Sequence, residues 1–154
     1  MAVRKLEINR RGIEKKRQEE EVVEALKSAN LVKVKTRKIG VLSHAPKAGE
    51  FCAESLLGKR KADIIVGLHD GRIMAIECKV SNSAINSVKR LNNDAASKAE
   101  EWREDFGTAQ IVPAAVLSGV YKLHNLENAQ RRGLTLFWSH DLPELITWIE
   151  STKL

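Results

Sequence analysis

Asp63 and the segment Glu77-Cys78-Lys79 are the residues of this chain whose types and spacing could do chemistry. Two carboxylates and an ammonium brought together can hold a divalent cation and a water against a phosphodiester. Successive side chains of a strand point to opposite faces, so Glu77 and Lys79 project together. Their neighbours Met74, Ile76, Cys78 and Val80 project the other way and form an apolar face suited to a core. A same-face Glu–Lys pair also stabilises many solvated sheets, and the tripeptide alone does not separate the two uses. The upstream segment does more. Arg60 to Leu68 is a β-branched run with an acid near its start, and His69-Asp70-Gly71 after it is a hairpin turn signal.

Turn length decides whether the carboxylates meet. A two-residue Asp70-Gly71 loop pairs His69 with Arg72 and sets Asp63 opposite Cys78, on the wrong face. A three-residue loop, with Gly71 in the left-handed region, pairs Leu68 with Arg72 and sets Asp63 opposite Glu77. Directly opposed residues have Cβ atoms about 5 Å apart, close enough to share one cation. An odd loop preserves this alignment and an even one breaks it. The chemistry therefore predicts a register.

Asp63, thirteen intervening residues and Glu77-Cys78-Lys79 resemble the PD-(D/E)XK nuclease superfamily, with Ala62 where that family usually has proline. The longer run Glu77-Cys78-Lys79-Val80-Ser81-Asn82-Ser83-Ala84-Ile85-Asn86-Ser87-Val88-Lys89-Arg90-Leu91 resembles the catalytic segment of type II restriction endonucleases, most closely the XamI family. The similarity is expected over about residues 60 to 140. It implies a restriction-endonuclease-like α/β fold, with a mixed β-sheet core flanked by helices. It also implies hydrolysis of phosphodiester bonds in double-stranded DNA with Mg2+, Mn2+ being the alternative cation. Asp63, Glu77 and the backbone carbonyl of Cys78 would then be the metal ligands, all oxygen donors suited to a hard cation. Lys79 would hold the water and stabilise charge on the phosphorane. In the resembled superfamily the first helix often adds a glutamate, which points to Glu19. Two alternatives stay open: a module of the same fold that binds nucleic acid without cutting, and a nuclease for branched DNA or RNA.

Glu19 has its own signal. It shares a helical stripe with Val22, Val23 and Leu26, where an acid is costly unless paired or metal-bound. A place at the stripe's edge, open to water, accounts for it equally well. Ser81-Asn82-Ser83 joins the Glu77 strand to the next helix, and Ser83 is the expected cap. The free N–H groups of such a helix start also suit a phosphate. Ser81, Asn82, Ser83, Asn86, Lys89 and Arg90 are therefore the candidate DNA contacts.

Charge supports that partner. Residues 1–40 hold twelve Lys/Arg against six Asp/Glu, and the remainder is balanced at fourteen of each. The excess lies at Arg4, Lys5, Arg10, Arg11, Lys15-Lys16-Arg17, Lys33, Lys35, Arg37 and Lys38, a distribution that attracts phosphates. A solvated helix face is the ordinary alternative. The apolar share of 43% and charged share of 30% are those of a soluble globular protein. Two cysteines without metal-ligand spacing, no apolar signal core and no membrane-length stretch give a reduced, cytoplasmic protein as the expectation. His44, His69, His124 and His140 show no paired spacing, and each is expected in a loop or turn.

The elements that position these residues read as one domain over 1–154, with a basic helix and strand in 1–40 and a catalytic core in 60–140. The expected order is helix, three strands, helix, strand, helix, strand, helix. A helix over 13–30 precedes a strand over 31–38, and 43–58 reads as irregular. The hairpin of 61–80 leads into a helix over 84–106 that buries Ile85, Val88, Leu91, Ala95, Ala99, Trp102 and Phe106 and stops at Gly107. Strands at 109–117 and 134–138 flank a short helix at 126–132, with Phe137-Trp138 as strand core. Asp141 opens the last helix with a side-chain cap. Cleaving both strands of a palindromic site calls for two active sites, hence a homodimer.

Overall fold

The computed structural model describes residues 2–153, with the side chains of the first helix described from Gly12 onward. The basic side chains at Arg4, Lys5, Arg10 and Arg11 lie outside the described residues.

Helix α1 (Ala2–Ser28) opens the chain. Val22 and Leu26 on its stripe are fully buried, which is what holds so polar a helix to the body. It ends where Asn30 takes a positive φ of 68°. The Leu31 and Asn30 amides then bond back to the Leu26 and Lys27 carbonyls, satisfying the helix's last acceptors.

Eight strands follow among the described residues: β1 (Val32–Lys33), β2 (Glu50–Cys52), β3 (Ser55–Leu57), β4 (Arg60–Ala62), β5 (Ile64–Gly67), β6 (Ile73–Ser81), β7 (Ile111–Gly119) and β8 (Thr135–Trp138). Six form one mixed sheet in the order β1-β2-β5-β6-β7-β8, and β3 and β4 pair separately. β2, β5 and β6 run antiparallel in succession, whereas β6, β7 and β8 are parallel. Helix α2 (Ala84–Ser87), a π-helical stretch (Val88–Ala95) and α3 (Ala96–Phe106) make one continuous helical run between β6 and β7. Helices α4 (Leu123–Arg131) and α5 (Leu142–Glu150) flank β8.

The sheet is sandwiched. α1 and α5 cover one face, burying Ile64, Val66, Met74, Ile76 and Cys78 with Val116 and Phe137. On the other face, Trp102 packs with Ile65 and Ala75, and Leu91, Ala95 and Ala99 pack with Ala115 and Leu117. Cys78 thus lies in the core, as its alternation predicts. β6 is buried along its whole length, so a charged residue on it must find its partner inside.

Several sequence expectations need correction. The irregular stretch over 43–58 contains β2 and β3, strands of three residues that are too short to show a period. The strand expected over 31–38 is confined to Val32–Lys33, because the chain leaves the sheet after pairing with β2. Ile85 and Val88 are 83% and 38% exposed, not buried. The wider turn of the π-helical stretch breaks the 3.6-residue spacing, so the stripe read from Leu91 onward does not extend back to them. Asp141 makes no side-chain cap, since a 3-10 turn at Ser139–Asp141 already leads into α5. His124 lies within α4. Gly107 does end α3, with φ 90° and its amide bonded to the Arg103 carbonyl.

Candidate active site

The hairpin loop has three residues. The Leu68 amide donates to the Arg72 carbonyl at 2.9 Å, leaving His69-Asp70-Gly71 outside the ladder. Gly71 takes φ 92°, which a residue with a Cβ rarely adopts. The ladder then runs Val66–Met74, Ile65–Ala75, Ile64–Ile76. One step further brings Asp63 opposite Glu77, as the odd loop requires.

The strands part at that step. Hydrogen-bonded pairs alternate along an antiparallel ladder, so after Ile64–Ile76 the next such pair would be Ala62–Cys78. Ala62 instead pairs with Ser55 in the small sheet. The Asp63 carboxylate fills the gap: its Oδ2 accepts the Cys78 amide at 2.8 Å. The N–H and C=O of one strand residue point the same way, so the Cys78 carbonyl faces the same gap. Glu77 Oε2 in turn accepts the Asp63 amide at 3.1 Å.

Each carboxylate is buried and each has a lysine. Glu77 is fully buried; Lys98 Nζ lies 2.7 Å and Lys79 Nζ 3.6 Å from its Oε1. Asp63 is 7% exposed, with Lys15 Nζ 3.4 Å from Oδ1. Burial, followed by the Asp63 charge, pushes the Glu77 carboxyl above the usual range, against the pull of Lys79 and Lys98. Burial would lower Lys15, but Asp63, Glu19 and Glu77 together outweigh it and raise its pKa.

Glu19 belongs to this cluster. It is one-third exposed and 3.9 Å from Lys15 Nζ. Burial and then the Asp63 charge raise its pKa, with Lys15 opposing. It thus lies at the stripe's edge, partly open to water and paired with Lys15. The Cys78 thiol stays protonated, because burial and then the Asp63 charge push it far up.

Lys79 continues to Asp94 on the π-helical stretch, with which it makes a very short hydrogen bond. Burial would raise Asp94, yet that hydrogen bond and the charges of Lys79, Lys98 and Arg60 hold it below the usual carboxylate range. Lys15, Asp94 and Lys98 were missed in the sequence reading. The available signal was spacing: Lys15 precedes Glu19 by four, and Asp94 precedes Lys98 by four, so each pair shares a helix face. Nothing local said that either face met the sheet at Glu77.

The predicted DNA contacts lie where β6 passes into α2. Ser83 Oγ accepts the Asn86 amide at 3.2 Å, the expected cap. Ser81 is buried and its hydroxyl donates to the Ser83 carbonyl at 2.7 Å, so it shapes the turn. Asn82 and Lys89 are exposed, while Asn86 and Arg90 are half-buried. Gly119 closes this corner from β7: a Cβ there would fall 1.9 Å from the Ser81 carbonyl oxygen.

Among the described residues, no group of three or more His, Cys, Asp or Glu side chains is arranged to hold a metal. The donors that do converge are two carboxylates and a backbone carbonyl. That set fits Mg2+, which commonly takes one or two carboxylates and keeps several waters. The ammonium groups of Lys15 and Lys98 show that both carboxylates sit in a place that demands positive charge.

Sheet and helices together define a restriction-endonuclease-like mixed α/β fold. Its likeness to the crystal structure of protein VC1899 from Vibrio cholerae has a TM-score of 0.50 at 20% identity, covering 72% of this chain and 30% of that one; it bears on fold alone. Residues 1–138 match the sequence profile of the XamI restriction endonucleases, and the chain belongs to that family. It is 50% identical over 117 residues to the type II restriction enzyme XamI of Xanthomonas campestris pv. amaranthicola, covering 76% of this chain. It spans only 43% of that relative's length. The match reaches further toward the amino terminus than the expected 60–140.

Proposed function

We propose that this chain hydrolyses phosphodiester bonds of double-stranded DNA with a divalent cation, Mg2+ or in its place Mn2+. The observation that supports this best is the opposition of Asp63 and Glu77 at the parting of β5 and β6, with the Cys78 carbonyl facing the same gap. Asp63, Glu77 and that carbonyl would hold the cation, which supplies Lewis-acid polarisation of the phosphate and lowers the pKa of a water. Glu19, paired with Lys15 beside Asp63, would add negative charge to the site. Lys79, held between Glu77 and Asp94, would stabilise negative charge on the phosphate. Lys15, now paired with Asp63, would be available to a neighbouring phosphate once a cation was held there. Asn82, Ser83, Asn86, Lys89 and Arg90 receive the backbone at the start of α2, and Ser81 sets their turn.

The protein works as a homodimer on DNA, since each site cuts one strand. Its two free, buried cysteines suit the reducing cytoplasm. No helix among the described residues is long and apolar enough to cross a membrane. Incubation with plasmid and Mg2+, with a chelator control, tests the reading. Discrete fragments support a restriction enzyme, and smearing a nonspecific nuclease. A mobility shift without any cut overturns the assignment in favour of a binding module.

A further inference from the structure

A groove of about 500 Å3 lies beside α1 at the carboxyl ends of β7 and β8. Its lining includes Glu14, Arg17, Gln18, Glu21, Trp138 and His140. Gln18 is only 4% exposed and forms its floor. Its Nε2 donates to Ser139 Oγ at 2.9 Å, to the Val116 carbonyl at 3.1 Å and to the Lys79 carbonyl at 3.4 Å. The two carbonyls can only accept, and Ser139 Oγ already spends its proton on the Leu117 carbonyl at 3.0 Å. The amide therefore cannot flip. Its Oε1 is left buried with no donor. Buried polar atoms in native proteins are nearly always paired with protein, water or ligand, so this acceptor is open to a donor entering from the groove.

We propose that this groove takes a DNA base bearing an exocyclic amino group, with Gln18 Oε1 accepting from that amine and Trp138 lying against the base. The inference rests on the DNA-cleavage reading above and names a specificity residue for it. Three features select the ligand. Gln18 Oε1, Glu14 and Glu21 offer acceptors to an amine, beside the guanidinium of Arg17 in the same lining. Trp138 is half-buried, not closed into the core as Phe137 is, and His140 lies 5.8 Å from its ring, so the groove offers an aromatic wall. Arg17 and Glu21, both exposed, line the groove and are joined by a 3.4 Å ion pair. Gln18 also lies between the groove and the cluster. Lys15 and Glu19, neighbours of Gln18 on α1, face Asp63, so the helix that floors the groove also borders the cluster. The bond to the Lys79 carbonyl ties the reading residue to the catalytic strand.

The test selects duplexes from a randomised pool with the full chain in Ca2+, comparing wild type with Gln18→Met and Trp138→Ala, all three checked by thermal melting. Wild type should enrich an amino-bearing base at one position, and both variants should relax that position by a factor of about ten while keeping the others. As a measure that needs no variant, ultraviolet irradiation of the wild-type complex should cross-link a base to the peptide carrying Trp138. Unchanged preferences in the variants, with a wild type that binds and cuts DNA, overturn the groove assignment alone. A wild type that neither binds nor cuts any duplex overturns the cleavage reading together with it.

Discussion

Asp63 and Glu77 are locked to one another through the backbone: the Asp63 amide donates to Glu77 Oε2, and the Cys78 amide, next along from Glu77, donates to Asp63 Oδ2. The carboxylates that would hold the cation are thus also what closes the gap where the small sheet departs. The proposed catalytic role and the structural one coincide, and substitutions must respect both.

Glu77→Gln and Asp63→Asn keep the shape and most of these hydrogen bonds while removing charge. Each should lower cleavage by at least about a hundredfold. Binding to duplex in Ca2+ should stay within a few-fold of wild type. Glu77→Ala is the harsher change, because it leaves Lys98 and Lys79 without their buried partner and should cost several kcal/mol, on the order of 3–5. A nicking assay paired with thermal melts separates the two effects. Wild-type cutting by Glu77→Gln would sink the site assignment.

Lys15 stands against Asp63 and Glu19, so a cation must displace it. In DNA-free protein, Lys15→Met should tighten Mn2+ binding roughly threefold to tenfold, since half-exposed charge pairs are partly screened. Titration calorimetry reads this without any turnover. Unchanged or weaker binding would show that Lys15 does not compete with the cation.

Asp94 gives a pH test. Its folded pKa is lowered by Lys79 and further by Lys98 and Arg60, so its contribution to stability is present above the unfolded value. That contribution is lost as pH falls from about 3.9 through the depressed folded value. Asp94→Asn should therefore melt slightly below wild type at pH 7, by under about 1 kcal/mol for so exposed a carboxylate, and the gap should narrow as pH falls below about 3.9. A gap that widens on acidification would reverse the sign and refute the pairing.

The sequence carried the register and not the neighbours. Alternation along 74–80 put Glu77 and Lys79 on one face, but two loop lengths fitted the Asp70-Gly71 turn, and only the requirement that Asp63 meet Glu77 selected the three-residue loop that the structure has. Ser83 as cap was legible locally. β2 and β3 were not, since three-residue strands draw their definition from the partners they meet. Ile85 and Val88 were misplaced because a π-helical stretch follows no 3.6-residue rule. Lys15 and Lys98 approach Asp63 and Glu77 from helices on opposite faces of the sheet, a convergence that only the packed fold creates.

Assembly on DNA follows from the number of sites. One Asp63/Glu77/Lys79 cluster can attack one strand at a time, so prompt double-strand cleavage calls for two clusters, and closed two-fold symmetry supplies them. Sedimentation of the Ca2+ complex should give two protomers per duplex. Lys16, Lys33, Lys35 and Lys38 are exposed, so affinity should fall steeply with salt as counterions are released. Substituting Lys33 and Lys35 with Gln should lower the slope of log affinity against log salt by roughly 2 per protomer if both touch phosphates. A duplex bound by a single protomer that is still cut through both strands without a nicked intermediate would contradict the dimer.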